Sequence, residues 1–504
     1  MTDVENVDDL DTVRQVVKAL AKENAYLHRR LSELAHAVAR LEGRGPGEQI
    51  ELEVAALQEQ LGTLSRRQFG DSSERRGKGK KAKPSKPKTG HGPRDQTQLP
   101  VIEDIRELDA DKRKCPKCRG ELRPMHGVTE DSEYIVRIER EFRLVREHCQ
   151  KYACKCAEAV VTAPSAARRI AKGGRYDVTF GVGVVVDKYV DHLPLERQVR
   201  IYRRQGLVID SQTLWDQVNG IARPLVPTYF ALRDYILGSD VIAADETWWR
   251  LMGGRSSKRW WAWGLTTHDA CWYDIRESRS GEAAAEVLRG FEGTVLCDGY
   301  KAYETVAKNA SNVRLAHCWA HARRKFVEAE PNYPAACAEA LEMIGELFAI
   351  ERKLDDPDPL EGDAKEAALR ARMQARERES RPVTEKLKKW ALEQMGLPKS
   401  GLRKATDYML TYWKGLTAFL DDPHLGIDNN RTERALRGMV LGRKNHYGSR
   451  SEAGTKAAAV LYTLVESAKL AGVNPANYLH LAAVRALDKP GSILLPHQLA
   501  AAIN

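Results

Sequence analysis

The first seventy residues carry a heptad pattern of apolar side chains. Between residues 10 and 41, apolar residues fill two positions in every seven, and Asn24 is the one polar residue in that seam. Such a repeat predicts a coiled coil, and a buried Asn favours a parallel dimer in fixed register. A long helix packed on its own chain is the alternative. Residues 50–64 resume an apolar spacing out of phase, so residues 1–70 are expected to form a coiled coil with a second short coil or a helical hairpin.

A different apolar pattern, that of short buried strands, fills residues 239–318. A helix with a good start signal at Ser280 separates the third strand from the fourth. The predicted strands cover residues 241–245, 259–265, 270–275, 293–300 and 313–317. This order resembles the ribonuclease-H-like fold, an α/β fold in which the first and fourth strands lie side by side. Asp245 ends the first strand and Asp298 lies near the end of the fourth, so the two carboxylates are expected to meet at one edge of the sheet.

Two adjacent carboxylates repel each other unless a cation lies between them, and oxygen ligands suit Mg²⁺ or Mn²⁺. A pair of such ions can activate an attacking oxygen and stabilise a leaving one. The candidate third acid is Glu433, in the predicted helix of residues 428–445 with Asp428 as its cap. A surface salt bridge between Glu433 and Arg437 is the alternative. His317 and His321 are expected near this site rather than as its primary ligands.

Cysteine spacing predicts a second kind of metal site. Cys115 and Cys118 have the spacing of a zinc knuckle, and Cys154 and Cys156 form a second pair. Residues 133–146, between the pairs, alternate like strands. The four thiolates predict structural Zn²⁺ in a small zinc-binding domain over residues 106–165. Because the second pair is unusually close, His148 or Cys149 is an alternative to one of its ligands.

Two further segments are predicted from charge and from helical periodicity. Residues 75–94 contain nine Lys or Arg and no acid, so residues 71–105 are expected to be a basic disordered linker, either solvated or in contact with DNA phosphates. Residues 166–236 read as helices with a break at Gly206 and a new start at Asp210 or Ser211. That pattern fits either a helix-turn-helix-like DNA-binding domain or an ordinary helical hairpin.

Bulk composition narrows the class of protein. The 504 residues hold 80 Lys and Arg against 70 Asp and Glu, a net charge of +10, which suggests a polyanionic partner. The odd number of cysteines and the many lysines argue against a disulfide scaffold. An acidic N-terminus and the lack of a long apolar run predict a cytoplasmic, nucleoid-associated protein without a membrane span.

Several motifs together resemble the transposases of bacterial insertion-sequence family sixty-six. They are Trp249, DGYKAY from Asp298, HCWAHARRKF from His317, NNxxERALR from Asn429 and LGRKN up to Asn445. The resemblance extends over nearly the whole chain, including Phe69-Gly70, the cysteine pairs and the HLPL string at 192–195. It implies a DDE triad at Asp245, Asp298 and Glu433, with a helical insertion before the Glu. The shortened second cysteine pair departs from the family pattern.

The expected activity is therefore metal-dependent cleavage of insertion-sequence ends and strand transfer into target DNA. The expected partners are double-stranded DNA, a second copy of the chain in a dimer or higher oligomer, and accessory proteins encoded nearby. A DNA-binding regulator on an inactive scaffold and a nuclease that never joins are the rivals. Candidate phosphate-binding residues are Arg323, Arg324, Lys325, Arg434, Arg437, Arg443 and Lys444.

The predicted architecture is a multidomain α+β protein. After the coil, linker, zinc-binding and helical segments, a ribonuclease-H-like domain is split by an insertion and followed by a helical tail. The corresponding ranges are 237–326 with 421–456 for the catalytic domain, 327–420 for the insertion and 457–504 for the tail.

Overall fold

The computed structural model describes residues 142–503, except for 154–159, 163–164, 166, 171–173, 254–257 and 395–398. The predicted coiled coil, the basic linker and the four cysteines assigned to zinc therefore lie outside the described residues. Within the described part, residues 142–150 have no regular secondary structure, so the strand predicted up to residue 146 is wrong at its end. A short antiparallel hairpin follows, with strands β1 (Lys151–Ala153) and β2 (Val160–Thr162).

Among the described residues, four helices lie between β2 and the main sheet. They are α1 (Val178–Tyr189), α2 (Leu195–Arg204), α3 (Ser211–Ala222) and α4 (Val226–Leu237), with a 3₁₀ turn at Arg223–Leu225. Gly206, at φ 87°, takes the left-handed conformation two residues after the end of α2. Asp210 caps α3, because its carboxylate accepts a 2.7 Å hydrogen bond from the backbone N–H of Thr213. The break and the new start therefore lie where the sequence predicted them.

The centre of the molecule is a five-stranded mixed sheet. Its strands are β3 (Val241–Leu251), β4 (Lys258–Thr266), β5 (Cys271–Arg276), β6 (Gly293–Cys297) and β7 (Val313–His317). They lie in the order β5-β4-β3-β6-β7, with β3, β4 and β5 antiparallel and β6 and β7 parallel to β3. Helix α5 (Gly281–Val287), capped by Ser280, and helix α6 (Lys301–Asn309) lie between strands in the chain. All five strands were predicted, and β3 and β6 are neighbours as expected.

Helix α7 (Trp319–Ala329) and the helical insertion after it cover one face of the sheet. The helices of the insertion are α8 (Pro334–Glu351), α9 (Gly362–Ala375), α10 (Arg381–Glu393), α11 (Gly401–Thr411) and α12 (Trp413–Leu416), with a π-helical turn at Arg376–Ser380 and a 3₁₀ turn at Ala418–Leu420. Their apolar side chains form a core with Leu296 and Ala316 of the sheet. Alternate residues on the other face, such as Ile242 and Val295, belong to a second core shared with α1, α3 and α4.

A buried arginine joins the insertion to the segment that follows it. Arg376 is fully buried, and its guanidinium makes two 2.8 Å contacts with the carboxylate of Glu351. Its remaining N–H groups donate to the backbone carbonyls of Phe419, Asp422 and Leu425 at 2.7–2.9 Å. Since all five guanidinium donors are used, this residue fixes the path of the chain just before the next helix.

Four helices complete the fold: α13 (Asn430–His446), α14 (Glu452–Leu470), α15 (Pro475–Asp488) and α16 (Pro496–Ile503). Helix α14 protects the edge of the sheet. The backbone N–H of Cys271 donates to Ser467 Oγ (3.0 Å), and that of Tyr273 donates to Thr463 Oγ1 (2.9 Å). Side-chain hydroxyls thus satisfy an edge strand that would otherwise present unpaired N–H groups. Within the described residues, no helix is long and apolar enough to cross a membrane.

Candidate active site

The parallel pairing of β3 with β6 sets two carboxylates side by side. The strands pair Val241 with Thr294 and Ala243 with Leu296, and the same offset two residues further on matches Asp245 with Asp298. Because alternate residues of a strand share a face, Asp245 lies on the face of Ala243, toward the insertion, and Asp298 follows the last residue of β6. Asp298 Oδ1 accepts the N–H of Tyr300 (2.9 Å).

The third acid comes from the first turn of α13. Thr432, beside Glu433, shares a 2.6 Å hydrogen bond with Thr266 of β4. One turn later, Leu436 packs over Gly264, the residue that pairs with Asp245 in the sheet. A Cβ added at Gly264 would lie 3.3 Å from Leu436, so this glycine allows α13 to approach the strand closely. These two contacts place the first turn of α13, and with it Glu433, next to the part of the sheet that contains Asp245.

The electrostatics of the site also indicate convergence of the three acids. Burial raises the pKa of Asp245 to about 8. The charges of Glu246, Asp298 and Glu433 act in the same direction, since a nearby negative charge disfavours ionisation. Even so, within the part of the chain that is described, no three acidic, His or Cys side chains stand close enough together to form a ready-made metal site.

Helix α7 supplies the groups that face Glu433. His321 Nε2 lies 3.5 Å from Glu433 Oε1, and Arg324 Nη2 lies 3.9 Å from Oε2. Burial lowers the pKa of His321, which keeps the imidazole neutral near pH 7, although Asp298 and Glu433 act the other way. His321 therefore lies near the acids, as expected from the sequence, and Glu433 pairs with α7.

His317, the second histidine, lies under α12. Its ring faces Tyr412 at a centroid distance of 4.4 Å, and burial lowers the pKa of His317 to about 4, although Asp298 opposes the shift. Its Nδ1 is buried without a hydrogen-bond partner among the described residues. This neutral ring fills space beside Asp298.

Two tyrosines of the insertion hold the loop after Asp298. The N–H of Gly299 donates to Tyr408 Oη (3.1 Å), and Tyr412 Oη donates to the carbonyl of Gly299 (2.8 Å). A Cβ on Gly299 would come within 2.7 Å of the Tyr408 ring, so only glycine fits between them. Sequence reasoning missed both tyrosines, because they lie more than a hundred residues from Gly299 and carry no local signal.

Glu246 follows Asp245 but points to the opposite face of the sheet. Its side chain is buried, accepts a 2.7 Å hydrogen bond from Tyr303 Oη and pairs with Arg279. Both carboxylate oxygens of Glu246 are therefore occupied by contacts within the protein. Tyr303 is 1% exposed, so it is a core residue, whereas Tyr300 is only partly buried.

The candidate phosphate-binding residues divide into three groups. Arg434, Arg437 and Lys444 are exposed along one face of α13. Arg323, Arg324 and Lys325 of α7 are half-buried. Arg443 is buried, and its guanidinium donates to Thr247 Oγ1 (3.0 Å) and to the carbonyl of Trp248. That placement favours a structural role for Arg443.

Comparison with known proteins decides the family. A family model described as the IS66 family of transposases matches residues 173–457. The chain belongs to the IS66 transposase family. In Sinorhizobium fredii (strain NBRC 101917 / NGR234), the uncharacterized protein y4jD is 35% identical over 395 residues, 74% of each chain. The uncharacterized protein y4qI of the same strain is 30% identical over 525 residues, covering 94% of this chain and 93% of its own. The family predicted from the motifs is therefore confirmed, and with it a broad role as a transposase.

Proposed function

We propose that this IS66-family protein is a DDE transposase, which cleaves DNA at the ends of its insertion sequence and joins those ends to target DNA. The observation that carries the proposal is the position of Asp245 on β3 and of Asp298 directly after the neighbouring parallel strand β6, with Glu433 approaching from α13. The strand order β5-β4-β3-β6-β7 supports a ribonuclease-H-like catalytic domain, and helices α8 to α12 would be its insertion.

The chemistry of the three acids fits divalent cations. Carboxylate oxygens are the ligands that Mg²⁺ and Mn²⁺ prefer, and a cation would favour the ionised form of Asp245, whose pKa is otherwise raised by burial and by like charge. Asp245, Asp298 and Glu433 are the residues that would hold a pair of such ions. When bound, the ions supply positive charge at the attacking and leaving oxygens of a phosphodiester.

The proposed reaction is two in-line displacements at phosphorus. In the first, the oxygen of water bonds to phosphorus, the bond to the 3′ oxygen breaks, and that oxygen takes up a proton to become a 3′ hydroxyl. In the second, the 3′ hydroxyl loses its proton, bonds to a phosphorus of target DNA and displaces another 3′ oxygen. Both steps exchange one phosphate ester bond for another bond to phosphorus, so no covalent protein intermediate is needed.

The protein's own side chains would orient these reactants. Tyr408 and Tyr412 hold the loop after Asp298, and His321 with Arg324 faces Glu433. Exposed cations of α13 and half-buried ones of α7 would bind phosphates on either side of the acids. Such contacts position DNA without reading its sequence.

The remaining assignments are proposals that rest on sequence. Structural Zn²⁺ would be bound by Cys115, Cys118, Cys154 and Cys156. A coiled coil at residues 1–70 would form the homodimer, and the helices of residues 166–236 would contribute to recognition of the element ends. Accessory proteins encoded nearby would assist the full reaction.

Strand transfer by the purified full-length protein tests the proposal directly. Pre-cleaved element-end oligonucleotides, a plasmid target and Mg²⁺ or Mn²⁺ are the substrates. Joined product is expected from wild type, with at least about a hundredfold loss in Asp298→Asn, because one oxygen ligand of a metal pair is replaced by an amide. Asp363→Asn, an exposed acid in α9, is the matched control and should join normally. Joining that survives Asp298→Asn would contradict the triad, and metal-dependent nicking without joining would favour a nuclease.

A further inference from the structure

An exposed tryptophan lies on β3 beyond the candidate acids. Trp248 follows Asp245 by three residues, about 10 Å along a strand, and is 41% exposed. Glu246, on the same face as Trp248, is buried, so the packed core under this face ends between the two. The cross-strand neighbour of Trp248 is Trp261 of β4, which is partly buried.

The rings continue beyond Trp261 as an alternating series with arginine. The Arg279 guanidinium lies between two rings, 4.7 Å from the centroid of Trp261 and 3.8 Å from that of Tyr300. Tyr300 Oη donates a 2.6 Å hydrogen bond to the carbonyl of Arg279, and Glu246 holds the other side of the guanidinium. We name Trp248, Trp261 and Tyr300 the aromatic row. Contacts with Arg279 hold the rings of Trp261 and Tyr300 in place.

Positive charge borders the aromatic row. The next pair on the same face is Arg250 opposite Arg259, and both are exposed. Two exposed arginines side by side make the charge of this surface complementary to a polyanion.

The aromatic row is also continuous with the candidate active site. Arg443 comes from α13, on the face that carries Asp245, and donates to Thr247 Oγ1 on that same face. Its guanidinium then lies over the Trp248 ring at 3.8 Å, on the opposite face. Arg443 therefore wraps the edge of β3 that β6 leaves uncovered beyond Ala243.

We propose that the aromatic row stacks unpaired bases of the DNA strand that leaves the candidate active site. The inference rests on the proposed transposase function and adds a binding site for single-stranded DNA. Flat aromatic surfaces interleaved with arginines bind bases of any sequence through their ring faces, and those faces are accessible only where the bases are unpaired. Trp248, the most exposed ring, would make the main contact.

Fluorescence of a labelled oligonucleotide tests this inference. The probe is a single-stranded dT oligonucleotide with one 2-aminopurine, compared with the same strand in a duplex, both titrated with full-length protein. Stacking should quench the probe in the single strand. Trp248→Ala should weaken this binding by at least about fivefold, and Trp248→Phe should keep most of it. Phe230→Ala, which removes a 53% exposed ring from α4, is the matched control and should bind as wild type.

Each outcome has a distinct meaning. The inference would be overturned if the Trp248→Ala variant, with an unchanged melting temperature, bound the single strand and quenched the probe as strongly as the wild-type protein does. An altered molecular mass in light scattering for Trp248→Ala, with unchanged oligonucleotide binding, would also overturn it and would assign the surface to a second copy of the chain. If only the transposase proposal fails, wild type will join no DNA, yet the Trp248-dependent quenching will persist.

Discussion

Gly415 is a residue whose lack of a side chain the fold requires. It lies in α12 directly against the buried imidazole of His317, and a Cβ there would collide with Nδ1 and come within 2.9 Å of Cε1. The ring cannot retreat easily, since it packs on Tyr412. Gly415→Ala is therefore expected to lower the free energy of unfolding by about 1–3 kcal/mol. Urea denaturation followed by circular dichroism measures this change.

Gly345 provides the matched control for that substitution. It also lies in a helix, α8, but a Cβ there would meet no atom within 4 Å. Gly345→Ala should therefore raise the free energy of unfolding by about 0.5–1 kcal/mol, because alanine loses less backbone entropy in a helix. If both variants change the free energy of unfolding in the same direction and by the same amount, the contact with His317 does not determine the effect of Gly415→Ala.

At the scale of single residues, the candidate acids were easier to identify from the sequence than the side chains that hold the surrounding segments in place. Asp245 and Asp298 each follow a buried apolar run, a local signal that survives without knowledge of the fold. Tyr408 and Arg376 carry no such signal, because their partners are distant in sequence and are set by tertiary packing. Arg443 shows the opposite case. A cation within a basic helix suggests phosphate binding from the sequence, but the structure buries the side chain of Arg443.

At the scale of elements, Arg376 connects the π-helical turn of the insertion to the segment that leads into α13. Arg376→Lys keeps the charge but replaces five spread donors with three on one nitrogen, so several buried carbonyls would lose their partner. We expect a loss of about 3 kcal/mol in the free energy of unfolding. Urea denaturation measures this loss, and Arg378→Lys is the matched control because the side chain of Arg378 is 77% exposed. Equal stability of the two variants would contradict the structural role of Arg376.

At the scale of elements, the positions of the strands along the chain were predictable because each strand is a largely apolar run bounded by turn residues. That β3 and β6 are neighbours was expected only from the resemblance to the ribonuclease-H-like fold. The role of α14 in covering the edge strand β5 could not be predicted in the same way. Its apolar stripe predicts only a packed helix, whereas the hydroxyls of Thr463 and Ser467 reveal their function only once β5 is known to be an edge strand. Assignment of partners between elements therefore needed the structure.

At the scale of the whole molecule, α13 joins the two hydrophobic cores. The segment before it contributes Leu425 and Ile427 to the core of the insertion, and the helix itself contributes Leu436 and Met439 to the other. Glu433 thus stands where the two cores meet, close to the sheet.

The last turn of α13 makes the stability of the described fold sensitive to acid. His446 packs against Trp249 and contacts Tyr462 Oη at 3.3 Å, and burial lowers the pKa of His446 to about 3. The unfolded chain would bind a proton at this residue near pH 6.5, so its contribution is complete above that pH and is lost as the pH falls from about 6.5 toward 3.

The expected loss from His446 approaches about 1.4 kcal/mol for each pH unit within that window. Urea denaturation at intervals between pH 7 and pH 4 measures the slope. His446→Gln carries no titrating group and should reduce the slope by that amount, whereas the exposed His424→Gln serves as the matched control. An identical slope in wild type and His446→Gln would mean that His446 gains its proton without unfolding, and that the last turn of α13 opens locally instead.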